Sequence, residues 1–347
     1  MSLINTNKFP YIEITGDHYE MGFSHGKQIS GQIQEYIKWI RFKSKETIKQ
    51  SQKRSMSFYK LINNYSNDYI KEINGIAEGA NIPFEDAMLC QIRFGKLDNT
   101  YDEGCTAFSF KGKSTANSNL YIGQNQDMDP EFLNFGFVLK LIPSINIPQI
   151  IMFTFPGQIG YAGMNEHGIS NFANALYNFQ TQNGVPHYIL KRKLLEQQSL
   201  ESCKKILQTI NVSEAANILI SDKTDIIDFE FHNKSRYQYK SNDQDSFIHT
   251  NHYLTNELIK FEDNTLNDSP IRFQRMKYLI KNIYGNISLN NIKNILADHF
   301  NFPSSICRHG ADSMDTISGY IAAPENKTIY IRKGFGCEMN WQSYSFD

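Results

Sequence analysis

The sequence predicts an α+β fold in which helices cover the faces of layered β-sheets. Three observations carry this. Apolar positions at helical spacing dominate the first hundred residues. From Cys105 onward short β-prone runs recur. A block of helical candidates then interrupts the strands before they resume. No internal repeat or low-complexity linker separates the two halves, so they are expected to pack as one unit.

Phe9, Tyr11, Ile12 and Ile14 mark a short strand over 9–15. Asp17 can cap a following helix, with Glu20 three residues on as in a capping box. Ile29, Ile33, Tyr36, Ile37 and Ile40 continue the helical spacing. His25, alone on this first helix, reads as a packed or surface histidine. A polar 43–55 stretch separates this from a second helix marked by Phe58, Leu61, Ile62, Tyr65, Tyr69, Ile73 and Ile76, with Gly79 as its stop. Pro83 opens a third helix that runs through Met88 and Ile92 to about Gly95.

Residues 105–110 and 119–127 predict a hairpin around the polar loop Lys111–Ser118. Strands are expected at 135–142, 149–155, 169–176, 225–231, 237–239, 246–250, 318–323 and 328–332. Helices are expected at 187–198, 201–209, 213–219, 271–283 and 289–299. The glycine-rich run from Gly157 to Gly168 reads as turns, because its spacing and context do not fit a dinucleotide loop.

The chain has 347 residues, 20% charged residues and a net charge of −1, with no long block of like charge. Nucleic acid or an anionic membrane is a poor fit as the main partner. No apolar run is long enough to span a bilayer, and the N-terminus lacks the pattern of a signal peptide. Five widely spaced cysteines without a CxxC pair point away from zinc ribbons and disulfide scaffolds. A reducing cytoplasm is the expected setting.

Cys105 follows the acidic turn Asp102-Glu103-Gly104 and begins a β-prone run. A buried, inert thiol is one reading. The other is a nucleophile activated by its own α-amine after cleavage of the Gly104–Cys105 bond, an amine whose ordinary pKa is about 7.7–8.0. The residues alone leave both open.

A wider pattern bears on this choice. It comprises Gly16-Asp-His-Tyr-Glu-Met-Gly22 with His25-Gly26, Gly75 to Ala80, Pro83 to Asp86, Gly104-Cys105-Thr106 and Gly123-Gln-Asn-Gln-Asp127. It continues with Gly163-Met-Asn-Glu-His-Gly168, His249-Thr-Asn-His252, Ser305 to His309, and Ile317 to Cys337. In this order the set resembles the acyl-coenzyme A:6-aminopenicillanic acid acyltransferase family of N-terminal-nucleophile (Ntn) hydrolases, over nearly the whole chain.

The resemblance implies a four-layer αββα fold with two antiparallel sheets. It implies a helical pro-segment, residues 1–104, that stays bound as the small subunit of a heterodimer, and a catalytic subunit of residues 105–347. Cys105 would be the nucleophile and Gly104–Cys105 the autocleavage site. Asp127 would hold the freed α-amine, Asn251 would stabilise the oxyanion, Asn174 would assist it, and Arg308 would favour thiolate. The substrate would be a small-molecule amide or acyl-CoA-type thioester, with no cofactor and no metal. Gln126 stands where the family has an aromatic residue, and the 111–118 loop is long, so a penicillin-type substrate is not carried over. Two alternatives remain: a non-catalytic small-molecule-binding protein of the same fold, and a metal-dependent hydrolase using Asp127/Asp129 and His249/His252.

Overall fold

The computed structural model describes residues 7–94, 103–176, 183–232, 235–262, 266–310, 314–338 and 340–346. The chain opens with strand β1 (Tyr11–Gly16) and then turns helical: α1 (His18–Gln28), α2 (Ser30–Ser44), α3 (Ile48–Met56), α4 (Tyr59–Tyr65), α5 (Asn67–Ala80) and α6 (Phe84–Cys90). The Asp17 side chain accepts the Glu20 N–H while the Glu20 carboxylate accepts the Asp17 N–H, which is the expected box. Helices α1 and α5 cross almost backbone to backbone. A Cβ on Gly22 would lie 2.0 Å from the Glu72 carbonyl oxygen, and one on Gly75 would lie 2.3 Å from that of Tyr19.

Gly79 belongs to this crossing and does not end the helix; α5 runs on to Ala80, and Asn81 caps it at φ 53°. The expected second helix breaks at Ser66 into α4 and α5. The polar 43–55 stretch is largely helix α3, started by a Thr47–Gln50 capping box; the residues it buries are Ser51 and Ser55, so no apolar stripe marked it. The third helix ends at Cys90, and Gly95 lies outside the described residues.

The remainder runs β2 (Gly104–Gly112), β3 (Ser118–Met128), β4 (Phe137–Pro143), β5 (Ile150–Thr154), β6 (Ala162–Asn165) and β7 (Ser170–Ala175). It continues with α7 (His187–Leu195), α8 (Leu200–Thr209), β8 (Ala216–Ser221), β9 (Ile226–His232), β10 (Ser235–Tyr239) and β11 (Ser246–His249). Helices α9 (Asn256–Ile259), α10 (Asp268–Ile283) and α11 (Leu289–Ile295) lead to β12 (Asp315–Ala323), β13 (Thr328–Lys333) and β14 (Trp341–Ser345).

One sheet has eight strands in the order β1-β4-β5-β6-β7-β8-β9-β10, and the other has six in the order β11-β2-β3-β12-β13-β14. The sheets meet where β2 and β3 pack on β7 and β8. Helices α1 and α7 cover the larger sheet, and α10 covers β2 and β11 of the smaller one. This is the expected αββα layering, with one departure in pairing. Strand β1 is parallel to β4, with Tyr11 opposite Val138, so the larger sheet is mixed and the stretch before Cys105 is not purely helical.

Two other assignments change. Residues 216–221 are a strand and not the end of a helix, hydrogen-bonded on both sides between β7 and β9. All six are buried, and a continuously apolar run carries no period that tells strand from helix. Ala162–Asn165, inside the glycine-rich run, forms β6.

Apolar residues of all these layers form the core. Met21, Ile33, Ile73 and Ile76 from the first helices join Val138, Ile151 and Phe153 of the larger sheet and Ile122 and Tyr320 of the smaller. Phe273, Met276 and Ile280 of α10 pack with Phe108, Phe110 and Ile321.

Candidate active site around Cys105

Strands β2 and β3 set Gly104 opposite Asp127 and Cys105 opposite Gln126. On the other side of β2, β11 ends at His249 opposite Ala107, so the loop after it carries Asn251 to the start of β2. Cys105 is 2% exposed. Its N–H donates to Asn251 Oδ1 at 2.8 Å, and its carbonyl accepts from Arg272 Nη1 at 2.5 Å. Arg272 also donates Nη2 to Asn251 Oδ1 at 2.8 Å and Nε to Asp268 Oδ2 at 2.7 Å. The Asn251 amide nitrogen donates to the carbonyls of Glu103 (3.2 Å) and Ala175 (3.0 Å). Gln124 Nε2 lies 3.7 Å from the thiol sulfur.

Asp127 is fully buried, and its Oδ1 accepts from Thr316 Oγ1 at 2.6 Å. Its Oδ2 forms an ion pair with Arg308 Nε at 3.1 Å but has no aligned hydrogen bond. This oxygen faces Gly104: a Cβ built there would lie 3.1 Å from Asp127 Oδ2 and 3.1 Å from Arg308 Nη2. Arg308 also pairs with Asp268, so one carboxylate ties Arg272 to Arg308.

Burial pushes the Cys105 thiol well above its ordinary range, and Glu103 and Asp127 add to the rise against the opposing charges of Arg272 and Lys191. In the uncut chain the thiol is therefore held protonated. Burial likewise raises the Asp127 carboxyl, although Arg308, Arg272 and the Thr316 bond oppose it. At Asp268 burial works upward, but the two guanidiniums prevail and the carboxyl is lowered.

The sequence-predicted residues fall into two groups. Cys105, Asn251, Asp127 and Arg308 belong to one connected network with Gly104. Arg308 contacts carboxylates and the Gly104 side of the network; the cations pulling on the thiol are Arg272 and Lys191. Asn174 stands slightly apart: its amide nitrogen donates to the Thr250 carbonyl at 2.9 Å and so anchors the loop that presents Asn251. The Gly104–Cys105 bond is in a strand between buried residues, not in an exposed loop; Asp102 lies outside the described residues.

Sequence reasoning missed Arg272 and a buried cationic cluster beside Glu103. The signal for Arg272 was its place on the stripe it shares with Met276 and Ile280, one helical turn after Asp268. In this cluster Arg93 pairs with Glu103 at 3.2 Å. The Arg93 guanidinium lies over the Tyr188 ring (4.6 Å), and Lys191 Nζ lies over Tyr161 (4.4 Å). Burial, offset in part by Glu103 and reinforced by Arg93, lowers the Lys191 amine to about 8. Gln126, opposite Cys105 on β3, bonds to the hydroxyls of Tyr161 and Tyr320.

The four side chains of the metal-hydrolase alternative are not brought together. His249 bonds Glu230 at 2.9 Å, His252 bonds Ser269 at 2.8 Å, Asp129 pairs with Lys43 at 2.6 Å, and Asp127 is committed to Thr316 and Arg308. His25 is a packed residue whose Nε2 accepts the Gly157 N–H at 3.1 Å.

Among solved structures, the chain is similar to a mutant of conjugated bile acid hydrolase from Clostridium perfringens, at 15% identity and TM-score 0.46 over 70% of this chain and 97% of that one. It is also similar to penicillin V acylase from Agrobacterium tumefaciens, at 13% identity and TM-score 0.44 over 66% and 83%. The acyl-coenzyme A:6-aminopenicillanic acid acyl-transferase family matches residues 113–335, a stretch that includes Asp127, Asn174, Asn251 and Arg308 and begins after Cys105. The match spans well over half of the chain, which therefore belongs to the acyl-coenzyme A:6-aminopenicillanic acid acyl-transferase family.

Proposed function

We propose that the protein is an acyltransferase or amidohydrolase that cuts itself before Cys105 and then carries the substrate acyl group on that thiol as a thioester. The observation that carries this reading is the network at the cut site: Cys105 N–H on Asn251, Cys105 C=O on Arg272, and the open Asp127 oxygen facing Gly104.

In the first step the Cys105 thiol adds to the Gly104 carbonyl, the C–N bond breaks, and the amide nitrogen becomes an α-amine. Water then hydrolyses the resulting thioester and leaves a carboxylate on Gly104. The amine takes the Asn251 Oδ1 bond that the amide held and donates to Asp127 Oδ2, which supplies a buried negative acceptor. In turnover the amine accepts the thiol proton as sulfur attacks the substrate carbonyl, and returns it to the leaving group. Once Glu103 has withdrawn, the Asn251 N–H that its carbonyl held turns to the tetrahedral oxyanion, a donor worth about 3 kcal/mol of barrier, while the amide keeps its bond to the Ala175 carbonyl. Residues 1–104 remain bound as the small subunit, because their apolar faces are part of the shared core.

The substrate class is a small-molecule amide or acyl thioester. Arg93 and Lys191 on their aromatic walls favour an acyl portion with a negative group where Glu103 lies in the uncut chain. Intact-mass analysis of wild type and Cys105→Ala tests the proposal. Wild type should give a fragment beginning at Cys105, and the variant should stay whole. A wild-type chain that stays whole on prolonged incubation and resists thiol-reactive acyl probes would instead support the non-catalytic binding reading.

A further inference from the structure

A second cluster of reactive side chains lies on the helical side of the smaller sheet, and neither cleavage nor acyl transfer uses it. His299 follows α11, His309 ends the Ser305–His309 loop, and Cys337 is in a short turn before β14. One ligand atom from each lies within 4.8 Å of the others. His299 Nε2 and His309 Nε2 are 3.0 Å apart, and Cys337 Sγ is 3.5 Å from His309 Nε2. Among the described residues this is the one such group of His, Cys, Asp or Glu that could hold an ion.

The scaffold holds these donors in place. The Cys307 N–H donates to the Asp298 carbonyl at 2.9 Å, which joins the segments before His309 and His299. The Asp298 carboxylate is clamped by Arg275 at 2.7 and 2.9 Å. The Gly336 N–H donates to Cys307 Sγ at 3.1 Å, bringing Cys337 alongside. A Cβ at 336 would lie 2.0 Å from the Leu296 carbonyl oxygen, so only glycine lets that turn dock. The Phe335 ring stacks on His309 with centroids 4.2 Å apart.

A hydrogen bond between two Nε2 atoms requires opposite tautomers, and the thiol then competes for the same nitrogen. One cation would satisfy all three lone pairs. Tetrahedral zinc places two imidazole nitrogens about 3.3 Å apart and a nitrogen and a thiolate about 3.5 Å apart. The two separations at His309, 3.0 and 3.5 Å, match these to within a few tenths of an ångström, and the Cys337 side chain, on an exposed residue, can swing to close its distance to His299, which lies within 4.8 Å. Two imidazoles and a thiolate select borderline-soft divalent cations over magnesium or calcium.

We propose that His299, His309 and Cys337 form a zinc site with its fourth corner open to solvent. The ion would brace the tail of the chain against the loop that carries Arg308. Arg308 is tied twice to Thr316 (its N–H donates to the Thr316 side-chain Oγ1 at 3.0 Å, and the Thr316 N–H donates to its carbonyl at 2.9 Å), and Thr316 Oγ1 holds Asp127. The site stands independently of any chemistry at Cys105.

Titration of the reduced full-length protein with Co²⁺, a spectroscopic stand-in for zinc, tests it. Expected are one equivalent bound, a tetrahedral d–d spectrum, a thiolate-to-cobalt charge-transfer band, and displacement by Zn²⁺. Cys337→Ser should lose the charge-transfer band. His299→Ala should weaken Zn²⁺ binding by about tenfold or more in competition with a chromophoric chelator, with circular dichroism unchanged. An octahedral spectrum without charge transfer, or a band that persists in Cys337→Ser, overturns the site. If a variant does not fold, the wild type decides: Zn²⁺ should raise its Tm, and alkylating the exposed Cys337 thiol should abolish the rise. No rise, or one that survives alkylation, overturns it.

Discussion

Asp127 Oδ2 is a buried carboxylate oxygen beside a charge but without a hydrogen bond, at the point where an amine would be created. Asp127→Asn keeps the Thr316 partner but removes the negative acceptor. The expected outcome is a chain that still cuts, with kcat lowered by about 100-fold in an acyl-release assay; full activity would reject the role. Arg272 reaches in three directions from one planar group, so lysine cannot replace it. Arg272→Lys should slow cleavage, measured by intact mass over time. Arg272→Met should in addition cost about 3 kcal/mol in urea unfolding, because Asp268 loses a buried partner. At this scale the sequence was readable where a residue stood in a short motif: Cys105 after Gly104, Asp127 at the end of its strand, Asn251 between two histidines. Arg272 and Lys191 were not, because a cation on an amphipathic helix reads as solvent-facing until its position on the buried stripe is counted. Arg308, expected to favour thiolate at Cys105, lies instead against Asp127, Asp268 and Gly104.

Among elements, the hairpin and the first helix were legible because their signals are local: period-two alternation around a polar loop, and a cap with its partner three residues on. What escaped needed tertiary knowledge. Helix α3 buries serines, β8 is buried along its whole length, and Gly79 looks like a stop until α1 is laid across it. The α1–α5 crossing gives a direct test. Gly22→Ala puts a methyl into the Glu72 carbonyl and must push the helices apart, with an expected cost of about 3 kcal/mol in urea unfolding. The same change at Gly31, where nothing lies within 4 Å of the added carbon, should be neutral or stabilising.

For the whole molecule, a layered arrangement of helices on sheets followed from the order of strands and helices and the two-sheet αββα form from the resemblance, whereas sheet membership and the parallel pairing of β1 did not, since no local pattern announces a partner over a hundred residues away. Buried histidines set the acid response. Burial lowers His25 to about 4, with Glu72 working upward and Arg192 downward, and in the folded state the ring stays neutral to accept the Gly157 N–H. Unfolded, the ring gains a proton below about 6.5. Stability from this group is therefore complete above about pH 6.5 and is lost as pH falls toward 4, by up to about 3 kcal/mol. His249 runs the other way: burial would lower it, but Asp228 and Glu230 raise it, so its share is present in acid and lost as pH climbs past its folded value. Unfolding of the uncut Cys105→Ala chain against pH should show the acid loss, and His25→Gln in that background should flatten the slope between pH 6.5 and 4.

The parallel strand β1 also bears on what happens if the two pieces are never joined. Six residues, Tyr11 to Gly16, lie along β4 from Val138 to Pro143, and among the described residues β4 has no other strand on that side. A fragment made from Cys105 onward would expose that ladder of backbone donors and acceptors, with buried Val138, Leu139 and Leu141 along it. Such a strand templates the addition of others, so the fragment alone should self-associate into oligomers or fibres. A peptide spanning Pro10 to Gly16 should slow that association by occupying the site. In this light the N-terminal piece is a built-in chaperone for the sheet it covers, one that would travel with its client if the proposed cut removes the bond between them.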